Sequence, residues 1–165
     1  MVPNKNAKAV ALIISATIFL ASFIYVPDWN IVGLHRGSPF LARLGYSLFH
    51  VSPIHALLNA WCLLSIVFTH NISSWRFLTA YIVVITVPEG LLSEIPTVGL
   101  SCVCFALLGS ITFEVRRKIY FQFCMATYIA VGFLFPSVNA MLHLYSYLAG
   151  LFVGLLNAPL ICKKK

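Results

Sequence analysis

Three polar groupings interrupt an otherwise apolar chain, and each carries side chains that can do chemistry. His50, His55 and Asn59 read H-x4-H-x3-N. His55 and Asn59 are four apart, so on a helix they share a face. Both can donate hydrogen bonds, the asparagine from its amide and the histidine from a ring N–H. Ser101 follows in Gly99-Leu100-Ser101, and His143 precedes Ser146, Gly150 and Gly154 at helical spacing. One serine, one histidine and additional N–H donors on separate helices form the kit for nucleophilic acyl transfer. A neutral imidazole accepts the serine proton, and fixed donors hold the oxyanion. Taken singly, each group also has a structural reading. The first can cap or join helices, a serine can bond its own helix, and a histidine can bond a carbonyl.

The acids narrow the choice. Asp28 is the one aspartate, and Glu89, Glu94 and Glu114 are the glutamates. An aspartyl protease needs two aspartates. A zinc protease needs H-E-x-x-H, but the residues after the five histidines are Arg36, Val51, Ala56, Asn71 and Leu144. A Ser-His-Asp triad needs a buried carboxylate, and the acids fall in connecting segments. A Ser–His dyad is what the composition permits, with no metal and no cofactor expected. The five cysteines are odd in number and show no C-x-x-C pair. They read as small buried hydrophobes rather than disulfides or zinc ligands.

These residues need elements to hold them. The chain has 165 residues, 61% hydrophobic and 9% charged, with a mean hydropathy of +0.94. A soluble domain carries about 25% charged residues. An ordinary soluble globule, a disordered chain and a nucleic-acid module are therefore excluded, because the net charge of +7 forms no basic stripe. Six apolar stretches follow, at about 9–26, 54–68, 77–87, 100–113, 119–135 and 140–161. Backbone groups in lipid must bond internally, so all six read as helices. Lys5, Lys8, Arg76, Arg116, Arg117, Lys118, Lys163, Lys164 and Lys165 lie on one side of these spans, leaving Arg36 and Arg43 on the other. The positive-inside rule then puts both termini in the cytoplasm. The expectation is an all-α membrane protein, one domain over residues 1–165, with the first stretch retained as a signal anchor.

The fourth stretch is short. About 14 apolar residues span roughly 21 Å, against a hydrocarbon core of ~30 Å. Its cytoplasmic end is pinned by Arg116 and Arg117. Ser101 should therefore lie below the outer surface, at the floor of an outward-facing cavity. The long connection from Pro27 to about Phe49 carries Trp29, Ile31, Val32, Phe40 and Leu41, and reads as lying partly in the interface.

In these motifs the chain resembles the rhomboid intramembrane serine proteases, in their compact six-span bacterial form. Phe49 to Asn59 matches the family's H-x4-H-x3-N on the second span. Gly99-Leu100-Ser101 matches the G-x-S nucleophile motif, continued by Phe105-Ala106-Leu107-Leu108-Gly109. His143 to Gly150 matches the last-span H-x-x-G-x-x-x-G. The resemblance runs from about Arg43 to Gly154. It implies Ser101 as nucleophile, His143 as general base, and an oxyanion hole of His55, Asn59 and the Ser101 backbone N–H. It implies supporting roles for His50, Gly99, Phe105, Ser146 and Gly150, with Phe105 packed on the His143 ring where the family often has Tyr. It further implies multi-pass insertion in a bacterial inner membrane, transmembrane-helix substrates, and substrate access beside the fifth span and the Pro136 loop. Three departures stand out. Cys102 replaces the usual Gly after the serine, Ser146 replaces a Gly, and Ala42-Arg43 stands where the family has Trp-Arg, one residue out of register. They leave open the alternative of a weak or inactive relative that binds transmembrane helices as a chaperone or adaptor.

Overall fold

The computed structural model describes residues 5–157 and is helical, with no strand among the described residues. Eight α-helices follow in order: α1 (Lys5–Ala21), α2 (Trp29–Val32), α3 (Phe40–Gly45), α4 (Pro53–Thr69), α5 (Ser74–Ile85), α6 (Ser101–Ile111), α7 (Lys118–Gly132) and α8 (Ala140–Asn157). The six long ones correspond to the six apolar stretches. No single helix among the described residues is long and apolar enough to cross a membrane. The bent pair 40–48 and 53–69 passes that test together, with an 85° break. Cys162 and the C-terminal lysines lie outside the described residues.

Local chemistry sets the helix starts. Ser52 Oγ accepts the His55 N–H at 3.2 Å, with Pro53 in the first turn. Ser73 caps α5 through the Arg76 N–H at 3.0 Å, and Asn139 caps α8 through the Leu142 N–H at 3.2 Å. These are ordinary N-caps. The first helix ends at Ala21, short of the expected Val26. The Ser22 hydroxyl donates to the Phe19 carbonyl at 2.6 Å, and the chain turns through i→i−3 bonds. The fifth stretch likewise ends at Gly132 instead of Phe135, again in i→i−3 bonds.

α6 is the central helix, buried along most of its length between α4, α5 and α8. Its seam with α8 is close. A Cβ added to Gly150 would lie 2.1 Å from the Ala106 carbonyl oxygen, and one on Gly109 would lie 2.2 Å from that of Tyr147. Only glycines allow backbones so near one another. α1 packs on α4 through a stripe at Ala7, Ala11, Ser15 and Ile18, spaced for one helix face.

The long connection is folded rather than loose. Leu34 and Thr97 exchange backbone hydrogen bonds at 2.8 and 2.9 Å. Arg36 pairs with Glu94 at 2.9 Å. Arg43 pairs with Glu89 and donates to the Val87 carbonyl at 2.9 Å. Glu89 also accepts the Gly37 N–H at 3.1 Å. The connection is thus strapped onto the α5–α6 link, at the end of the bundle where α4 and α6 begin. At the opposite end, Arg76 pairs with Glu114 at 2.5 Å. Arg76, read from the sequence as a loop cation, is instead 4% exposed in the first turn of α5.

Candidate active site

Ser101 is the first residue of α6, and its position is built from both sides of the break before it. Gly99 has φ +119°, a conformation only glycine takes readily. It is also a contact point, because a Cβ there would lie 2.9 Å from the His55 ring and 3.5 Å from Asn59 Nδ2. The Gly99 N–H donates to the Tyr46 carbonyl at 3.1 Å. The Leu100 N–H donates to His50 Nε2 at 3.2 Å. No side chain caps α6. The turn before Ser101 is therefore held by α4 and by the strapped connection.

On the facing helix, His143 Nε2 lies 2.9 Å from Ser101 Oγ. The close α6–α8 seam makes this contact possible, since Gly150 lies two turns beyond His143 on the same helix. Phe105, one turn below Ser101, stacks on the His143 ring with centroids 4.4 Å apart and 21° between planes. Phe105 also meets Tyr128 of α7, with centroids 5.5 Å apart. The imidazole is held between a hydroxyl and an aromatic face.

His55 and Asn59 stand one turn apart on α4, beside Gly99. His55 Nδ1 and Asn59 Nδ2 are buried with no hydrogen-bond partner among the described residues. Unpaired buried polar atoms are costly, and two at one place can receive a hydrogen-bonding group. The Ser101 N–H adds to them, because the first N–H groups of a helix have no intrahelical acceptor. His50 packs edge-on against His55, with centroids 4.9 Å apart. The motifs around His50, His55, Asn59, Gly99, Ser101, Phe105 and His143 therefore come together in one place.

No carboxylate joins them. All four acids are engaged elsewhere, Asp28 with Asn30, Glu89 with Arg43, Glu94 with Arg36, and Glu114 with Arg76. The arrangement can activate a serine through an imidazole alone and offer three N–H groups to a developing oxyanion.

A model of the rhomboid domain matches residues 40–164. The chain belongs to the rhomboid family. No curated protein and no solved structure matches it. Rhomboids are integral membrane proteins, and the family is one of intramembrane proteases that also includes inactive variants. The matched region holds every site residue above and leaves out α1 and α2.

Two of this rhomboid's departures from the family pattern meet in space. Cys102 is 1% exposed, and its thiol lies beside the hydroxyls of Ser146, Tyr46 and Ser101. Cys102 and Ser146 thus fill one volume in the α6–α8 seam. Arg43 serves as the strap to Val87 and Glu89 although its register differs. Tyr46, Thr97, Asn139 and Tyr128 also hold the site and escaped the sequence reading. Asn139 donates to Thr97 Oγ1 at 2.9 Å, tying the start of α8 to the segment before Ser101. An asparagine just before an apolar run was a readable cap signal, whereas the Tyr46 carbonyl had none.

Proposed function

We propose that this rhomboid is a serine endopeptidase that cuts other membrane proteins in or near a transmembrane helix. The observation that carries this reading is the 2.9 Å contact between Ser101 Oγ and His143 Nε2, with every carboxylate bonded elsewhere. Ser101 Oγ attacks the scissile carbonyl carbon, and its proton passes to His143 Nε2. The carbonyl oxygen becomes an oxyanion facing the donors of His55, Asn59 and the Ser101 N–H. His143 then gives the proton to the leaving amine, and the C–N bond breaks to leave an acyl-serine. Water, deprotonated by His143, attacks that ester and releases the new carboxylate and the free hydroxyl. No cofactor or metal takes part. A helical substrate hides its carbonyls in i→i−4 bonds, so it must unwind locally. Gly or Pro near the cut and a small residue just before it favour cleavage.

The bundle crosses the membrane six times, with both termini cytoplasmic and Ser101 reached by water from the other side. Helices α1 and α4 to α8 provide the crossings, and the strapped connection sits in the outer interface, where Ile31, Phe40 and Leu41 are exposed. The resemblance to compact bacterial rhomboids makes the bacterial inner membrane the proposed location. α7, with Ile129 as its one buried residue, borders the opening to substrate.

The test is labelling by a fluorophosphonate probe, together with cleavage of a tagged single-span substrate in vesicles. Both are expected from the native chain and from neither Ser101→Ala nor His143→Ala. Undiminished cleavage by either variant would overturn the dyad. The second reading, an inactive binder of transmembrane helices, draws support from the Cys102 thiol beside the Ser101 hydroxyl. It predicts substrate capture without labelling.

A further inference from the structure

His143 stands in the first turn of α8, the part of a helix whose N–H groups lack intrahelical acceptors. Deeper along α8, the glycine seam brings it onto α6 at Gly150 and Gly109. The seven residues from His143 to Gly150 cover roughly 10 Å at 1.5 Å per residue. A helix held only at that seam can tilt, and a tilt of about 5° moves His143 by roughly 1 Å. A misplacement of about 1 Å can cost about 10²-fold in rate. On the other side of the dyad, Asn139 directly precedes α8.

Asn139 bonds in three directions. Its carbonyl accepts the His143 N–H at 3.2 Å. Its side-chain oxygen accepts the Leu142 N–H at 3.2 Å. Its amide nitrogen donates to Thr97 Oγ1 at 2.9 Å. Thr97 is itself fixed, because its N–H donates to the Leu34 carbonyl at 2.9 Å and its carbonyl accepts the Leu34 N–H at 2.8 Å. Leu34 is buried. From Thr97 the chain reaches Ser101 through Gly99 and Leu100, whose N–H groups are held by Tyr46 and His50. Nucleophile and base thus hang from one anchored residue. We propose that Asn139 is a positioning residue of the dyad, setting through Thr97 where α8 presents His143 to Ser101. This rests on the peptidase reading above. Capping alone does not call for this geometry. A cap needs only a side-chain oxygen, which serine supplies equally well, whereas the asparagine amide adds a donor and spends it on Thr97. The outer connection, through Leu34, becomes part of the support of the base although it belongs to neither dyad helix.

The experiment uses the full chain in vesicles, with a fluorophosphonate probe and a tagged single-span substrate. Thr97→Val keeps the volume and removes the acceptor. Asn139→Ser keeps a capping oxygen and is too short to reach Thr97. Each should lower kcat and the labelling rate about tenfold, equivalent to ~1.4 kcal/mol in the transition state, with KM and the melting temperature little changed. Thr97→Ser, which keeps the hydroxyl, should restore most of the rate. The double variant Thr97→Val/Asn139→Ser should fall no further than either single one, because both remove the same bond. The two single variants break the bond from opposite sides, so a folding failure in one leaves the other to decide. Native kcat in a folded single variant would overturn the proposal alone. So would a loss carried by KM, or losses that add in the double variant. A native chain that neither labels nor cleaves would overturn the peptidase reading, and this proposal with it.

Discussion

A serine hydroxyl becomes a nucleophile when its proton has a base to go to and the base is held still. His143 has no carboxylate to orient it, so the Phe105 ring stacked at 4.4 Å does that work. Phe105→Ala should lower kcat by about tenfold, a loss of ~1.4 kcal/mol in the transition state, with KM little changed. Phe105→Tyr should keep the activity. Steady-state kinetics on a single-span substrate checks both. Asn59 bears on a different stage of the reaction. Its Nδ2 is unpaired among the described residues, so on the proposed mechanism removing it harms chiefly the state that carries the oxyanion. Asn59→Ala should cost about 10²–10³ in kcat, while the folded protein melts at or above the native temperature.

At the scale of elements, the α6–α8 seam decides whether the dyad exists. Gly150→Ala places a methyl 2.1 Å from the Ala106 carbonyl oxygen, and the helices must part. Overpacking of this kind costs about 1–3 kcal/mol, and the separation carries His143 away from Ser101. Probe labelling should fall with the melting temperature in Gly150→Ala, and labelling at the native rate would refute the coupling. The strap over the outer end is electrostatic. The Gly37 N–H, then the Arg43 cation, hold the Glu89 carboxyl below its ordinary pKa of 4.5. A lowered carboxylate stabilises the fold above its unfolded pKa, and that contribution is lost as the pH falls through the folded value. The melting temperature of the native chain should exceed that of Glu89→Gln near neutrality. The two should converge below pH 4.5, and a constant difference would exclude Glu89 as the titrating group. The seam was legible because close approach demands small residues at Ser146, Gly150 and Gly154. The strap was not. Helices α2 and α3 have 4 and 6 residues, too few to show a period. The Leu34–Thr97 bonds join backbones and leave no trace in side-chain type.

For the whole molecule, the scarcity of charge is what made the site readable, since four carboxylates leave few chemistries open. The same scarcity hid one pair. Arg76 read as a loop cation because it stands just ahead of the third apolar stretch, yet α5 starts two residues earlier and draws it inside. Its guanidinium pairs with Glu114, with side chains 5% and 21% exposed, and ties the start of α5 to the turn after α6. Arg76 Nε and Nη1 are buried without acceptors among the described residues, so Glu114 is the main compensation for a buried cation. Breaking a buried pair from one side costs about 3–5 kcal/mol, because the remaining charge is stranded, whereas removing both partners costs far less. Arg76→Met and Glu114→Gln should therefore each lower the melting temperature sharply, and the double variant should recover much of the loss. The pair lies at the far end of the bundle from Ser101. At a temperature where the variants remain folded, fluorophosphonate labelling should proceed at the native rate in all three. Thermal melts of the four proteins in vesicles close the cycle. Additive losses would mean that the two residues act separately and that the pair does not join α5 to the α6–α7 turn.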